Sequence, residues 1–185
     1  MLVLILALLA PVSGATHASE AKAPDACALV ADADVRAVLG VTVKERRPGT
    51  QDARGLLLTQ CYLGTGTPQS VSIAVAGETK SGHTVITPRA FWRDQFHARV
   101  EDARERRSDH YDEAGARHEQ DVETAARPIA GVGDEAFWSG SRVAGALYAL
   151  HGNTFIRISI GGISDERERI EKSRRLAIAA LARLP

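Results

Sequence analysis

The chain carries no surplus of either charge: Lys and Arg number 23 together, and so do Asp and Glu. Without a net field nothing draws in nucleic acid or an anionic membrane surface, so neither is expected as a partner. No apolar run reaches the ~20 residues that a membrane-spanning helix needs, and the longest, residues 2–10, falls well short. Cysteine is scarce too, with Cys27 and Cys61 alone, and neither directly follows that run, which argues against lipid attachment.

What residues 2–10 do suit is the core of a signal peptide, although the usual basic start is missing. Small residues at Ser13, Gly14 and Ala15, then at Ala18, place cleavage after Ala15 or after Ala18. The chain then divides into a leader, 1–18, a polar linker, 19–26, and one domain, 27–185. About 165 mature residues suffice for one core and not for two enzymatic domains. Export to the periplasm or the medium exposes the cysteines to oxidising conditions, so a Cys27–Cys61 disulfide is expected. Closing a loop of about 34 residues is worth roughly 3–4 kcal/mol in the chain-entropy account.

Leu29, Val35, Val38 and Leu39 recur at helical spacing, with Asp32 and Asp34 in the first turn and Gly40 as a stop, so a helix is expected over 32–39. Residues 41–45 read as a short strand and 46–54, around Pro48-Gly49, as a polar loop. Residues 56–63 are apolar in both parities, which suits a central strand covered on both sides and places Cys61 in the sheet, against the start of the first helix. Val71, Ile73 and Val75 alternate with Ser70, Ser72 and Ala74 as in a half-buried strand.

Thr87-Pro88 is a cap and first helical position, and Trp92, Phe96, Val100 and Ala103 continue one stripe, closed by Arg104, Arg106 and Arg107. Residues 108–126 show no period and read as a long loop. Strands follow at 136–138, 143–150 and 155–159, the last two joined by a tight Gly152-Asn153 hairpin, with Ile156, Ile158 and Ile160 on one face. Ser164 or Asp165 caps a final helix that turns Ile170, Ala177, Leu181 and Leu184 inward and Glu166, Arg167, Glu168, Lys172 and Arg175 to water. The order α-βββ-α-βββ-α with short turns predicts an α+β fold: an antiparallel sheet flanked by helices and stapled by one disulfide.

Chemistry is harder to find. Gly131-Val-Gly133-Asp-Glu-Ala136 matches a dinucleotide fingerprint in form, but no apolar strand precedes it and no helix follows, so it reads as a turn and no cofactor is expected. His110, Asp112, His118, Glu119 and Asp121 are metal-ligating types, yet the two histidines stand eight apart with Gly115 between, unlike a helical ligand pair. That segment is the basis of the alternative reading, a metal-dependent or hydrolytic envelope enzyme. Ser139 lacks a nucleophile elbow, and Asp134 and Glu135, as strand neighbours, point to opposite faces. Trp92, Phe96, Trp138 and Tyr148, with Phe137 and Phe155 nearby, are the candidate lining of a ligand pocket between the second helix and the sheet, or simply core.

Asp25-Ala-Cys27-Ala-Leu29-Val30 leads into Asp32-Ala-Asp-Val35 and Leu39-Gly40, and Gln60-Cys61-Tyr62 follows later. With Ile129-Ala-Gly-Val-Gly-Asp-Glu-Ala-Phe137, this resembles a group of small exported bacterial domains of unknown function, of the actinobacterial secreted-lipoprotein type. The resemblance implies a disulfide-bearing α+β domain at the cell envelope, and brings no catalytic residues with it. The chain departs from the group in lacking a lipid-attachment cysteine and in having Ala31 where a Thr cap is frequent. The expected function is therefore a non-enzymatic exported domain that binds an envelope protein or a small ligand.

Overall fold

The computed structural model describes residues 23–53, 56–77, 79–81, 84–98 and 126–185. The leader, residues 19–22 of the linker, Val100, Ala103 to Arg107 and residues 108–125 of the expected loop lie outside the described residues.

A single helical turn, α1 (Ala26–Leu29), comes first because the Asp25 carboxylate caps it by accepting the Cys27 N–H. The second helix, α2 (Asp32–Leu39), has the expected bounds. Ala31 has no side-chain acceptor to cap it, and Asp34 reaches back instead to accept the Ala31 N–H at 2.8 Å. Gly40 ends it in the left-handed conformation, φ 75°.

Three strands form the first meander: β1 (Glu45–Ala53), β2 (Leu56–Gly64) and β3 (Ser70–Gly77). A separate ribbon, β4 (Thr79–Ser81) with β5 (Thr84–Ile86), leads to α3 (Pro88–Arg93), which runs on as a π-helical turn over Asp94–Ala98. The second meander is β6 (Arg127–Pro128), β7 (Glu135–Gly140), β8 (Gly145–His151) and β9 (Thr154–Gly161), followed by α4 (Glu166–Leu181). Antiparallel pairing of β3 with β9 fuses the two into one seven-stranded sheet, β1-β2-β3-β9-β8-β7-β6. The fold is thus α+β with an antiparallel sheet and one disulfide, as the sequence implies.

Several boundaries are corrected. Residues 46–54 do not form a loop: all but Arg54, which lies outside the described residues, belong to β1. A residue without an N–H is tolerated there because β1 is a sheet edge, where outward amides have no ladder partner. For the same reason β2 is the second strand and not the central one. β8 opens at Gly145, leaving Val143 in the preceding turn, 87% exposed.

One face of the sheet packs under α1, α2 and α4, where Cys61, Ile73, Trp138, Leu147, Ile156 and Ile158 meet Val35, Leu176 and Ala177. In α4 the buried stripe is Arg169, Ser173, Leu176, Ala177 and Ala180, while Ile170, Leu181 and Leu184 pack at its margin. The expected stripe is therefore rotated, and a charged residue sits at its head.

Cys27 and Cys61 are bonded, with Cα atoms 5.0 Å apart. The bridge ties β2 to α1, a turn separate from the helix that begins at Asp32. Neighbours reinforce it: Thr59 Oγ1 accepts the Ala26 N–H, and the Arg46 guanidinium donates to the carbonyls of Cys27 and Val30 at 2.8 and 2.9 Å. Among the described residues no helix is long and apolar enough to cross a membrane.

Candidate functional site

The other face of the sheet differs from end to end. At one end Thr87 caps α3 and Pro88 starts it, laying Phe91, Trp92 and Phe96 over Leu56, Ala76, Phe137, Leu150 and Phe155. Trp92 and Phe96 have ring centroids 4.4 Å apart, Phe96 stacks on Phe137 at 4.9 Å, and Tyr148 meets the edge of Phe96 at 5.3 Å. This is packed core: Trp92 is 2% exposed and Phe96 5%.

Of the four aromatics expected to line one pocket, Trp92, Phe96 and Tyr148 come together, and Trp138 does not. It points to the opposite face, among the helices, with its indole N–H on the Glu166 carboxylate at 3.0 Å. Neighbouring residues of a strand alternate faces, so Phe137 takes the place beside Phe96. No pocket is assembled from these four residues.

Polar groups clamp α3 at its rim. Glu135 accepts the Trp92 indole N–H and lies 3.0 Å from His97 Nε2. Asp134 takes Arg89 at 3.1 Å and the Gly152 N–H at 2.8 Å, with His151 Nδ1 3.6 Å away, and Arg89 Nε adds the Gly152 carbonyl at 2.9 Å. The two carboxylates thus serve different partners and hold α3 in place.

A cavity of about 480 Å³ lies elsewhere, between the β7–β8 turn and the start of α4, lined by Arg142, Val143, Ser164, Asp165, Glu166 and Arg167. Its acids are engaged: Asp165 caps α4 by accepting the Glu168 N–H, and Glu166 accepts from Arg127 and Trp138. His110, Asp112, His118, Glu119 and Asp121 lie outside the described residues; among the described residues no three metal-ligating side chains cluster.

The rest of the second face has no helix over it among the described residues. Register places Tyr62, Ser72 and Ser159 in one row across β2, β3 and β9, and Ala74, Arg157 and Tyr148 in the row beside it across β3, β9 and β8. Tyr62 is 37% exposed with the Arg47 guanidinium 4.5 Å from its ring centroid. Arg157 is half-buried on the middle strand of seven, and its Nε donates to Tyr148 Oη at 3.2 Å. Arg157 is absent from the candidates above, although Phe155-Ile-Arg-Ile-Ser-Ile160 sets isoleucines on one parity and a cation at the centre of the other.

No family model, curated protein or solved structure matches this chain.

Proposed function

We propose that the chain is a non-enzymatic exported domain of the cell envelope, and that it binds its partner or ligand on the open strip of the sheet's second face. The observation that carries this reading is the asymmetry of the sheet. Three helices cover one face, a short helix clamps one end of the other, and the strip left over presents tyrosines, serines and Arg157 across β2, β3, β9 and β8. With the rest buried so fully, the polar strip that no described helix covers is the part of the described fold left for recognition. Export is supported by the apolar run at residues 2–10 and by a disulfide joining distant parts of the chain. The aromatic pocket recedes, because Trp92, Phe96 and Tyr148 are packed together and Trp138 faces the other side of the sheet.

The test is native mass spectrometry on the protein isolated from the envelope fraction of its producing cell, beside a Ser72→Trp variant that fills the strip. A bound species on the original chain that is lost from the variant, at unchanged melting temperature, supports the reading. A naked chain, or equal occupancy of both forms, overturns it. The mature mass checks export, and an intact leader refutes it.

A further inference from the structure

We propose that Arg157, Tyr148 and Ser72 form a binding site for a phosphate group, which rests on the reading of the open strip as the recognition surface and names the chemistry it takes. Among the described arginines that are not exposed, Arg157 stands apart. Arg46, Arg89, Arg127 and Arg183 each face a carboxylate, and Arg169 is enclosed by backbone carbonyls. Arg157, half-buried in mid-sheet, forms no ion pair with any described residue, and its one side-chain hydrogen bond among them uses Nε. Its same-face neighbours by register are Ala74, Tyr148, Phe155 and Ser159, with Ser72 and Ala146 on the diagonals, and none is acidic. With the Tyr148 ring 5.8 Å from its Cζ and no counter-ion among the described residues, this partly withdrawn guanidinium favours an anion.

The donor set favours phosphate over carboxylate. Nη1 and Nη2 retain four N–H groups in the planar fork that suits bidentate contact with an oxyanion. Tyr148 Oη accepts from Nε, which leaves its own proton for an acceptor on the same side. Ser72, half-exposed one diagonal step away, stands within reach of a ligand bound to that fork. Ser159 is engaged with the Gly145 carbonyl at 2.8 Å and serves as a wall. These donors exceed what two carboxylate oxygens accept and match the three free oxygens of a phosphate monoester. Ala74 and Ala146 on either side keep the approach clear of large side chains.

The experiment is a titration of the full mature chain with inorganic phosphate, and separately with acetate, at constant ionic strength, followed in ¹H–¹⁵N spectra. Saturable movement of the Arg157 Nε–H and of the Ser72, Tyr148 and Ser159 amides, with a Kd in the low millimolar range (~1 mM corresponds to about −4 kcal/mol), is the expected result. Arg157→Gln is expected to weaken it at least tenfold, Arg157→Lys to weaken it less, and Arg47→Gln to leave it unchanged. Absence of saturation at tens of millimolar, equal binding by Arg157→Gln with a folded spectrum, or acetate binding as tight as phosphate overturns the site. Should phosphate fail while Ser72→Trp still sheds the co-purified species, this site falls and the open-strip reading stands.

Discussion

Replacing Arg169 by Met tests whether a buried cation without an acid holds this fold together. Arg169 is 1% exposed. Its Nη1 donates to the Ile163 and Ser164 carbonyls at 2.7 and 3.1 Å, and its Nη2 to those of Ser141 and Arg142, both at 2.9 Å. One guanidinium therefore ties the β7–β8 turn to the loop that enters α4. Methionine keeps the length of the side chain and removes fork and charge. The Ile163 carbonyl bond is buried, and leaving it unmade costs about 1–3 kcal/mol. The other three lie where water reaches at least one partner, so each loss costs about 0.5–1 kcal/mol.

Against that loss of roughly 2.5–6 kcal/mol, Met relieves the desolvation of a buried charge, a gain of a few kcal/mol. Four aligned carbonyl dipoles already recover much of that desolvation, so the net is a destabilisation of about 2–3 kcal/mol. At ~2–4 °C per kcal/mol for a domain of this size, Tm falls by roughly 4–12 °C in calorimetry. Arg169→Lys keeps the charge but has three donors and no planar fork, so it is expected to melt below Arg169→Met. A Met variant as stable as the original chain, or a Lys variant more stable than the Met one, refutes the argument that the carbonyl cage outweighs the buried charge.

Three further outcomes follow from the same physics. Cys27→Ala with Cys61→Ala opens a bridge across 34 residues, a loss of about 4 kcal/mol by chain entropy and roughly 8–16 °C in Tm. A fall of under about 2 °C by circular dichroism would show that Arg46 and Thr59 alone pin α1. Trp92→Phe keeps an apolar ring under α3 and deletes its donor to Glu135, which costs about 1–3 kcal/mol in urea melts. In a double-mutant cycle with Glu135→Leu, which removes the acceptor, the two changes should be coupled by at least about 0.5 kcal/mol, and simple additivity would deny the bond. Gly133 and Gly40 have φ of 59° and 75°, but a Cβ at Gly133 runs into the Leu150 carbonyl while one at Gly40 meets nothing within 4 Å. Gly40→Ala should cost about 1–2 kcal/mol from backbone strain alone and Gly133→Ala more, with equal losses counting against the clash.

What the sequence discloses here is what local chemistry decides. The bounds of α2 follow from Asp34 and Gly40, the start of α3 from Thr87-Pro88, the β8–β9 hairpin from Gly152, and the start of α4 from its Asp165 cap, because each stop or cap is a contact between near neighbours. β1 escapes because Pro48-Gly49 argues locally for a loop, and only its place at the sheet edge reverses that. Faces are harder still. Phe137 and Trp138 are adjacent, aromatic and buried, in a strand covered on both sides at that point, so nothing in their alternation says which one meets α3.

The two arginines that matter most separate cleanly on this ground. Arg169 sits in a helix whose other charged residues are exposed or only half-buried, and its burial depends on carbonyls of a turn nearly thirty residues earlier, Ser141 and Arg142, which no periodicity reveals. Arg157 depends on no distant loop among the described residues. Its strand places Ile156, Ile158 and Ile160 on the covered face, so the other parity must be the less covered one, and a cation at its centre has no place in a two-sided core. A charge kept half out of water in mid-sheet is therefore a signal of recognition already present in six consecutive residues, needing only the register with Ala74 and Tyr148 to show that no acid of its own strand neighbours answers it.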